Sequence, residues 1–372
     1  MPEPSIHHIL RESFSQGGKE EWLRTALQEL TEKKTIDNLS WKVDGLNFYP
    51  YYDEEDLKSL GYLKNFQVKS HDSALEKNAW GSVSRVFVKD EDEANALALR
   101  NLTAGADGIL FDVTGHEDFD IDVLLNKIHW PFCSLSFSTS NGAKLFSKLT
   151  SHARKKNYTL SALKGSIYHS TKVEVRTINF QALENYYALG IVIQPSSPTQ
   201  EISQGLEKAA LLMDSLTNQG MAKENVFSAI SLSLTSDDNF FVTIAKLKAM
   251  RLLWYQLSQA FEISSYTPDK LHLHVTAEKW SSENFQPHGN ILKNTAHALA
   301  SILGGCNSLT LCPEDDLNDT LNRIGINVSN ILKEECHLDK VFDPLAGAYV
   351  IENMVHQFSQ SAWNDFQNKM RA

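Results

Sequence analysis

His272 and His274 stand two residues apart in the stretch "KLHLHVTAE". In a β-strand that spacing sets both imidazoles on one face. Two imidazoles on one wall could bind a metal ion or pass protons near neutral pH. A metal site needs further donors, and no acid or cysteine follows at ligand spacing; Glu278 is the nearest. The pair therefore reads as polar lining of a barrel wall. Cys306, in "ILGGCNSL", follows Gly304 and Gly305. A reactive thiol needs a base or a helix N-terminus to lower its pKa. Cys306 instead lies between a helix end and a strand, and the two glycines read as a C-cap turn, so a buried, inert cysteine is expected.

The other candidates resolve in the same direction. "TLCPEDD" places Thr310, Cys312, Pro313 and a run of acids after the last strand, where a closed barrel keeps its catalytic groups. Asp343 and Pro344 in "DPLAGAY", with Gly347 after them, read as a turn or helix cap. No GxSxG elbow surrounds the serines of "SSPTQEI". Ser196 to Thr199 read as the cap of a long helix, with Ser197 and Gln200 or Glu201 resembling a capping box. The chain has no GxxxxGK[ST] loop and no HExxH. No catalytic, cofactor-binding or metal-binding residue is assigned.

The elements that would hold these residues follow a rhythm that begins at residue 80. Strands are predicted at "WGSVSRVFV", "DGILFDV", "PFCSLSFST", "LSALKGSI", "LGIVIQP", "VFSAISLSL", "KLHLHVTAE" and "NSLTLC". Helices are predicted over 91–103, 141–156, 176–188, 198–218, 238–261, 289–303 and 316–336. Eight parallel βα units over about 255 residues is the size of a closed (β/α)₈, or TIM, barrel. A doubly wound open sheet would carry a glycine-rich loop after its first strand; here "KDEDEANA" follows. The predicted division is an N-terminal arm and helix over 1–79, a barrel over 80–340, and a C-terminal turn and helix over 341–372. In the arm, residues 19–35 repeat Trp22, Leu23, Ala26, Leu27 and Leu30 at helical spacing. Gly45 and Pro50 interrupt an aromatic-rich stretch, and 61–79 read as irregular.

Composition narrows the function class. Of 372 residues 42% are hydrophobic, and the formal net charge is −11, the wrong sign for a general nucleic-acid binder. No apolar run approaches the roughly 18 residues that span a bilayer, and the N-terminus shows no signal-peptide pattern. The four cysteines form no CxxC pair, so a reducing cytoplasm is expected.

The residues alone stop at an acidic barrel. The combination of segments goes further. "LSWKVDGLNFYPYYDEEDL", "FFVTIAKLKAMRLLW", "HGNILKNTAHALASILGGCNSLTL" and "KVFDPLAGAYVIEN" occur in the order of the methylmalonyl-CoA mutase family. They resemble its "P-x-Y-x-x-E-D-L" arm, its "FFxxIAKxRAxRxLW" helix, its "NxxRxTxxAxxAxxGGxxSL" stretch and its closing "VxDPxxGSYYVE". The resemblance runs patchily from about residue 20 to 365 and implies the same barrel fold.

The departures concern the active site. Catalytic members carry "RG-x-Y-x-T-M-Y", whose tyrosine contacts substrate; here the region reads "VKSHDSALEKNAW". They carry a histidine in "G-Y-H-x-x-E-A-G" at strand five; here it reads "GIVIQPSSPTQEI". The family's "SLH" is Ser308, Leu309 and Thr310, and its "RNTQ" is Ile326, Asn327, Val328 and Ser329. No cobalamin-binding domain with "D-x-H-x-x-G" is expected in this chain. The resemblance therefore implies a small, non-catalytic subunit that binds no cofactor itself. Its heterodimer partner, the large subunit, would bind adenosylcobalamin and interconvert (R)-methylmalonyl-CoA and succinyl-CoA. The alternatives are an independent barrel enzyme using His272, His274 or the acids after strand eight, and a chain of a related isobutyryl-CoA or ethylmalonyl-CoA mutase. The arm's aromatics, Trp22, Trp41, Phe48, Tyr49, Tyr51 and Tyr52, are expected to reach onto the partner.

Overall fold

A computed structural model describes residues 18–30, 35–65, 80–169, 185–277, 289–313, 315 and 318–371. An arm comes first: α1 (Lys19–Glu29), a hairpin of β1 (Trp41–Val43) and β2 (Leu46–Phe48), then α2 (Glu54–Lys58) and α3 (Tyr62–Asn65). Eight strands follow: β3 (Gly81–Phe87), β4 (Gly108–Asp112), β5 (Ser134–Thr139), β6 (Gly165–His169), β7 (Tyr186–Val192), β8 (Ile230–Thr235), β9 (His272–Ala277) and β10 (Ser308–Leu311). They close in the order β10-β3-β4-β5-β6-β7-β8-β9, every pair parallel. The connecting helices are α4 (Glu91–Thr103), α5 (Ile121–Leu124), α6 (Gly142–Lys155), α7 (Pro198–Thr217), α8 (Lys223–Ser228), α9 (Phe240–Ala260), α10 (Gly289–Leu303) and α11 (Asp319–Glu334). A last helix, α12 (Tyr349–Arg371), lies outside the repeat. The expected (β/α)₈ barrel is the fold.

Alternation explains why these strands close. Ile109, Phe111, Leu135, Phe137, Leu232, Leu273 and Val275 point outward into one continuous core beneath the helices. Their neighbours point inward, where Val83, Leu110 and Tyr168 form a separate small cluster. Apolar side chains outward and polar ones inward are the two faces that period-2 patterning specifies.

Several boundaries differ from expectation. Residues 186–188 of the helix predicted over 176–188 are strand; 176–184 lie outside the described residues. Tyr186 and Tyr187 each have a packed site as strand residues: Tyr186 meets Trp130 edge-on at 5.6 Å, and Tyr187 stacks on His272 at 4.7 Å. The fourth strand begins at Gly165 rather than 160, because Leu160–Ala162 form a 3₁₀ turn. Gly165 has φ +142°, and a Cβ there would sit 1.9 Å from the Leu135 carbonyl oxygen. The sixth strand loses its first residues to α8, which buries Val226 and Phe227 under the barrel. Helix α1 ends at Glu29, and Ile36–Leu39 form a 3₁₀ turn.

The arm packs on this chain. Asp44 (φ 55°) and Gly45 (φ 77°) make the tight turn of the β1–β2 hairpin, the positive-φ pair a primed turn requires. Phe48, fully buried, meets Phe358 of α12 edge-on at 5.8 Å and stacks with Trp41. Tyr62 donates to Glu352 and stacks on His356. Helix α1 stands apart: it buries no residue, and Leu27 is 55% exposed. Among the described residues no helix is long and apolar enough to cross a membrane.

Candidate functional site

The lumen is built by contacts between strands that are not neighbours in the sheet. Ser231 on β8 meets Ser166 on β6 at 3.3 Å. Tyr168 on β6 lies 5.4 Å from His274 on β9, ring to ring. Between the two histidines sits one hydroxyl: Ser308 Oγ is 3.1 Å from His272 Nε2 and 2.9 Å from His274 Nδ1. His274 Nε2 lies 3.3 Å from Thr276 Oγ1. One hydroxyl can donate to one ring and accept from the other, and that pattern suits neutral imidazoles.

Electrostatics agree with the geometry. Burial, reinforced by the Arg251 guanidinium, pushes His272 down to about 4. Burial, with His272 and Arg85 adding, pushes His274 down to about 3. Burial raises the Tyr168 and Tyr187 hydroxyls above their ordinary range. A general acid or base works best with a pKa near the operating pH. None of these four groups has one. Among the described residues no three His, Cys, Asp or Glu side chains converge as a metal site; Glu278 lies outside them. The sequence reading that placed His272 and His274 on one face is what the structure shows, and the pair is hydrogen-bonded lining.

The remaining sequence candidates are not brought together. Cys306 is buried at the strands' N-terminal rim, opposite the mouth, and burial pushes its thiol up to about 12. There Arg251, itself buried, donates to the carbonyls of Pro268, Leu271 and Gly305 and to Asn307 Oδ1 at 2.8–3.1 Å. "ILGGCNSL" thus belongs to the end of a barrel that reads as stability. At the mouth, Thr310 Oγ1 donates to the Val83 carbonyl at 2.9 Å, and the Cys312 carbonyl accepts from Asn294 Nδ2 at 2.9 Å. Glu314 and Asp316 lie outside the described residues. Asp343 pairs with Lys248 at 2.8 Å and accepts from the Leu345 backbone N–H, as a turn residue does. Ser197 starts α7, but its side chain caps nothing in that helix. The expected capping box is absent; Ser197 and Thr199 are engaged by Asp44 of the arm instead.

Two clusters escaped the sequence reading. Lys246, fully buried on α9, pairs with Glu201 at 2.6 Å and Asp237 at 2.5 Å and donates to the Thr235 carbonyl at 2.9 Å. A lysine inside the apolar run "TIAKLKAMRLLW" was the available signal, since burial of lysine demands partners. Nearby, Ser236 Oγ lies 2.5 Å from His297 Nδ1. The other nitrogen of His297 is 3.9 Å from Asp238, whose carboxylate holds Lys293 at 2.6 Å. The third group that orients a catalytic histidine is therefore not in hydrogen-bonding place.

Comparison with known proteins places this architecture. The methylmalonyl-CoA mutase family model matches residues 190–370. The methylmalonyl-CoA mutase small subunit of Porphyromonas gingivalis is 28% identical over 95% of this chain and 63% of its own length. Methylmalonyl-CoA mutase of Rhizobium meliloti is 24% identical over 91% of this chain and 56% of its own. The chain is similar to the methylmalonyl-CoA mutase family, by the family model over residues 190–370 and by these relatives over most of its length. It spans 56–63% of the length of these two relatives. Within the family's frame, "FFVTIAKLKAMRLLW" is most of α9, carrying Lys246 and Arg251, and "HGNILKNTAHALASILGGCNSLTL" runs through α10 into β10. At barrel strand five, where catalytic members are expected to carry histidine, β7 ends at Val192 and continues through Ile193 to Gln194. Of the stretch matching the tyrosine motif, residues 68–80, all but Trp80 lie outside the described residues.

Proposed function

We propose that this chain is the small, non-catalytic subunit of an adenosylcobalamin-dependent methylmalonyl-CoA mutase, working in the cytoplasm as a heterodimer with a large catalytic subunit. The large subunit would interconvert (R)-methylmalonyl-CoA and succinyl-CoA, and this chain would support its fold. The observation that carries the reading is the lumen. Tyr168 packs on His274, Tyr187 stacks on His272, Ser308 bridges the two imidazoles, and none of these four rings titrates near neutrality. Relatives named as methylmalonyl-CoA mutase small subunits support the same role.

Cobalamin would supply radical chemistry where it binds. The His272 and His274 rings do not fit a cofactor ligand, because His274 is buried, His272 is half-buried, and both are engaged with Ser308. No cobalt chemistry is therefore assigned to this chain.

Partnership is the part to test. Mixed with the candidate large subunit, the chain should co-elute in size exclusion at micromolar concentration. Separate elution, or micromolar binding of adenosylcobalamin by this chain alone, would overturn the reading. The arm divides the interface question. Phe48 and Tyr52 are buried in this chain's own structure, whereas Leu23, Leu27 and Tyr49 are exposed. Exposed apolar residues of this kind suit a partner surface. Deleting residues 1–60 should weaken binding to the large subunit at least tenfold, about 1.4 kcal/mol. A folded truncate that binds with unchanged affinity would remove the arm from the interface.

A further inference from the structure

The hairpin turn of the arm meets the barrel at a helix N-terminus. Asp44 Oδ2 accepts from Ser197 Oγ at 2.9 Å, from the Thr199 backbone N–H at 3.1 Å, and from Thr199 Oγ1. Ser197 is the N-cap of α7, a 20-residue helix, and its own side chain makes no cap bond. The first N–H groups of a helix lack intrahelical acceptors and carry the positive end of its dipole. Here the acceptor comes from more than 150 residues away in sequence. Asp44 itself sits at φ 55°, beside Gly45 at φ 77°. An aspartate at that point both tolerates the turn and supplies the anion.

We infer that Asp44 is a carboxylate pin: it fills the anion-binding end of α7 in cis and thereby fixes the arm's hairpin on the barrel. The hairpin's other anchor is apolar, Phe48 against Phe358. A two-stranded hairpin of three residues per strand is not stable alone. The pin sets the register of the hairpin against the barrel, and the apolar anchor supplies burial without direction. The inference concerns this chain alone and stands whether or not a large subunit binds.

Hydrogen exchange on the full chain tests it. Asp44→Asn keeps a side chain that accepts positive φ and removes the charge. Asp44→Gly removes the whole side chain without straining the turn. Exchange of residues 41–48 should rise about tenfold in Asp44→Gly and by a smaller factor in Asp44→Asn, while strands β3–β10 keep their protection. Formate or acetate should restore protection in Asp44→Gly, and chloride at equal ionic strength should not, because the vacated site takes a carboxylate. Unchanged exchange in the hairpin of both variants overturns the inference. So does faster exchange confined to the first turn of α7 with the hairpin still protected, which would make Asp44 a cap and nothing more. If Asp44→Gly fails to fold, Asp44→Asn alone decides between these outcomes.

Discussion

Two of the polar clusters buried in this barrel are built on opposite electrostatic terms. The lumen pair, His272 and His274, is satisfied by hydroxyls and held neutral. The cluster under the mouth, Lys246 with Glu201 and Asp237, is charged and satisfied by ion pairing. Neutral groups need only hydrogen bonds to be buried; a charge needs a countercharge, as at Lys246, or a full set of oxygen acceptors, as at Arg251. In the lumen, Ser308 links the two imidazoles, and all four rings, those of Tyr168 and Tyr187 included, are held away from the near-neutral pKa that suits a general acid or base. The charged cluster belongs to the scaffold that joins α7, α9 and the end of β8.

Breaking the charged cluster should have the largest effect. Lys246→Met leaves Glu201 and Asp237 facing each other without their cation. Removing one member of a buried pair typically costs about 3–5 kcal/mol, so the variant should lose that order of stability in denaturant titration at pH 8. Burial already raises the Glu201 carboxyl, with Lys246 opposing. Without Lys246 it rises further. A carboxyl raised in the folded state contributes stability below its unfolded pKa and loses it as pH rises through the folded value. The variant should therefore recover stability at pH 5 relative to pH 8. A deficit that is small, or larger in acid, would show that the cluster is not the ion pair its geometry indicates.

The lumen should answer pH in the other direction. A histidine whose folded pKa is depressed is stabilising above its unfolded pKa and destabilising below it. The unfolded rings take protons from about pH 6.5 downward, while the folded rings wait until about 4 and about 3. Each pH unit in that interval removes about 1.4 kcal/mol per ring, so pH 5 should remove about 2 kcal/mol per ring. His169, His297 and His356 are lowered too, so the wild type alone cannot isolate the pair. The double variant His272→Asn/His274→Asn should show a shallower fall between pH 6.5 and 4 than the wild type. An equally steep fall would place the proton uptake outside the lumen.

These contrasts mark how far the sequence could be read. The barrel was legible because period-2 and period-3.6 patterning alternate eight times, and helices over 91–103 and 289–303 end where predicted. The shared face of His272 and His274 follows from alternation alone. The Lys246 cluster was not legible, because positions 201, 237 and 246 come from three separate elements and meet only on closure. The hairpin is legible in "WKVDGLNF", a D-G turn between alternating residues, although the aromatics around it mask the alternation. Asp44 on α7 shares the difficulty of the Lys246 cluster, since no local pattern pairs residue 44 with residue 199.

The smallest expected effect is the most direct on function. If the lumen is lining, His272→Ala and His274→Ala should leave the activity of the complex with the large subunit within about threefold, because loss of a general acid or base would cost roughly 10²–10⁴-fold. Each variant removes a packed ring, buried at His274 and half-buried at His272, and leaves Ser308 one partner short, so some loss of stability is expected. Activity must accordingly be normalised to folded complex and measured well below its melting temperature. The Ser308 hydroxyl can still bond the ring that remains. Tyr187 loses a stacked neighbour in the first variant and Tyr168 a tilted one in the second. A collapse of activity in either folded variant would contradict the contrast drawn between the two clusters. It would make the lumen the working site of an enzyme and leave the charged cluster as its frame.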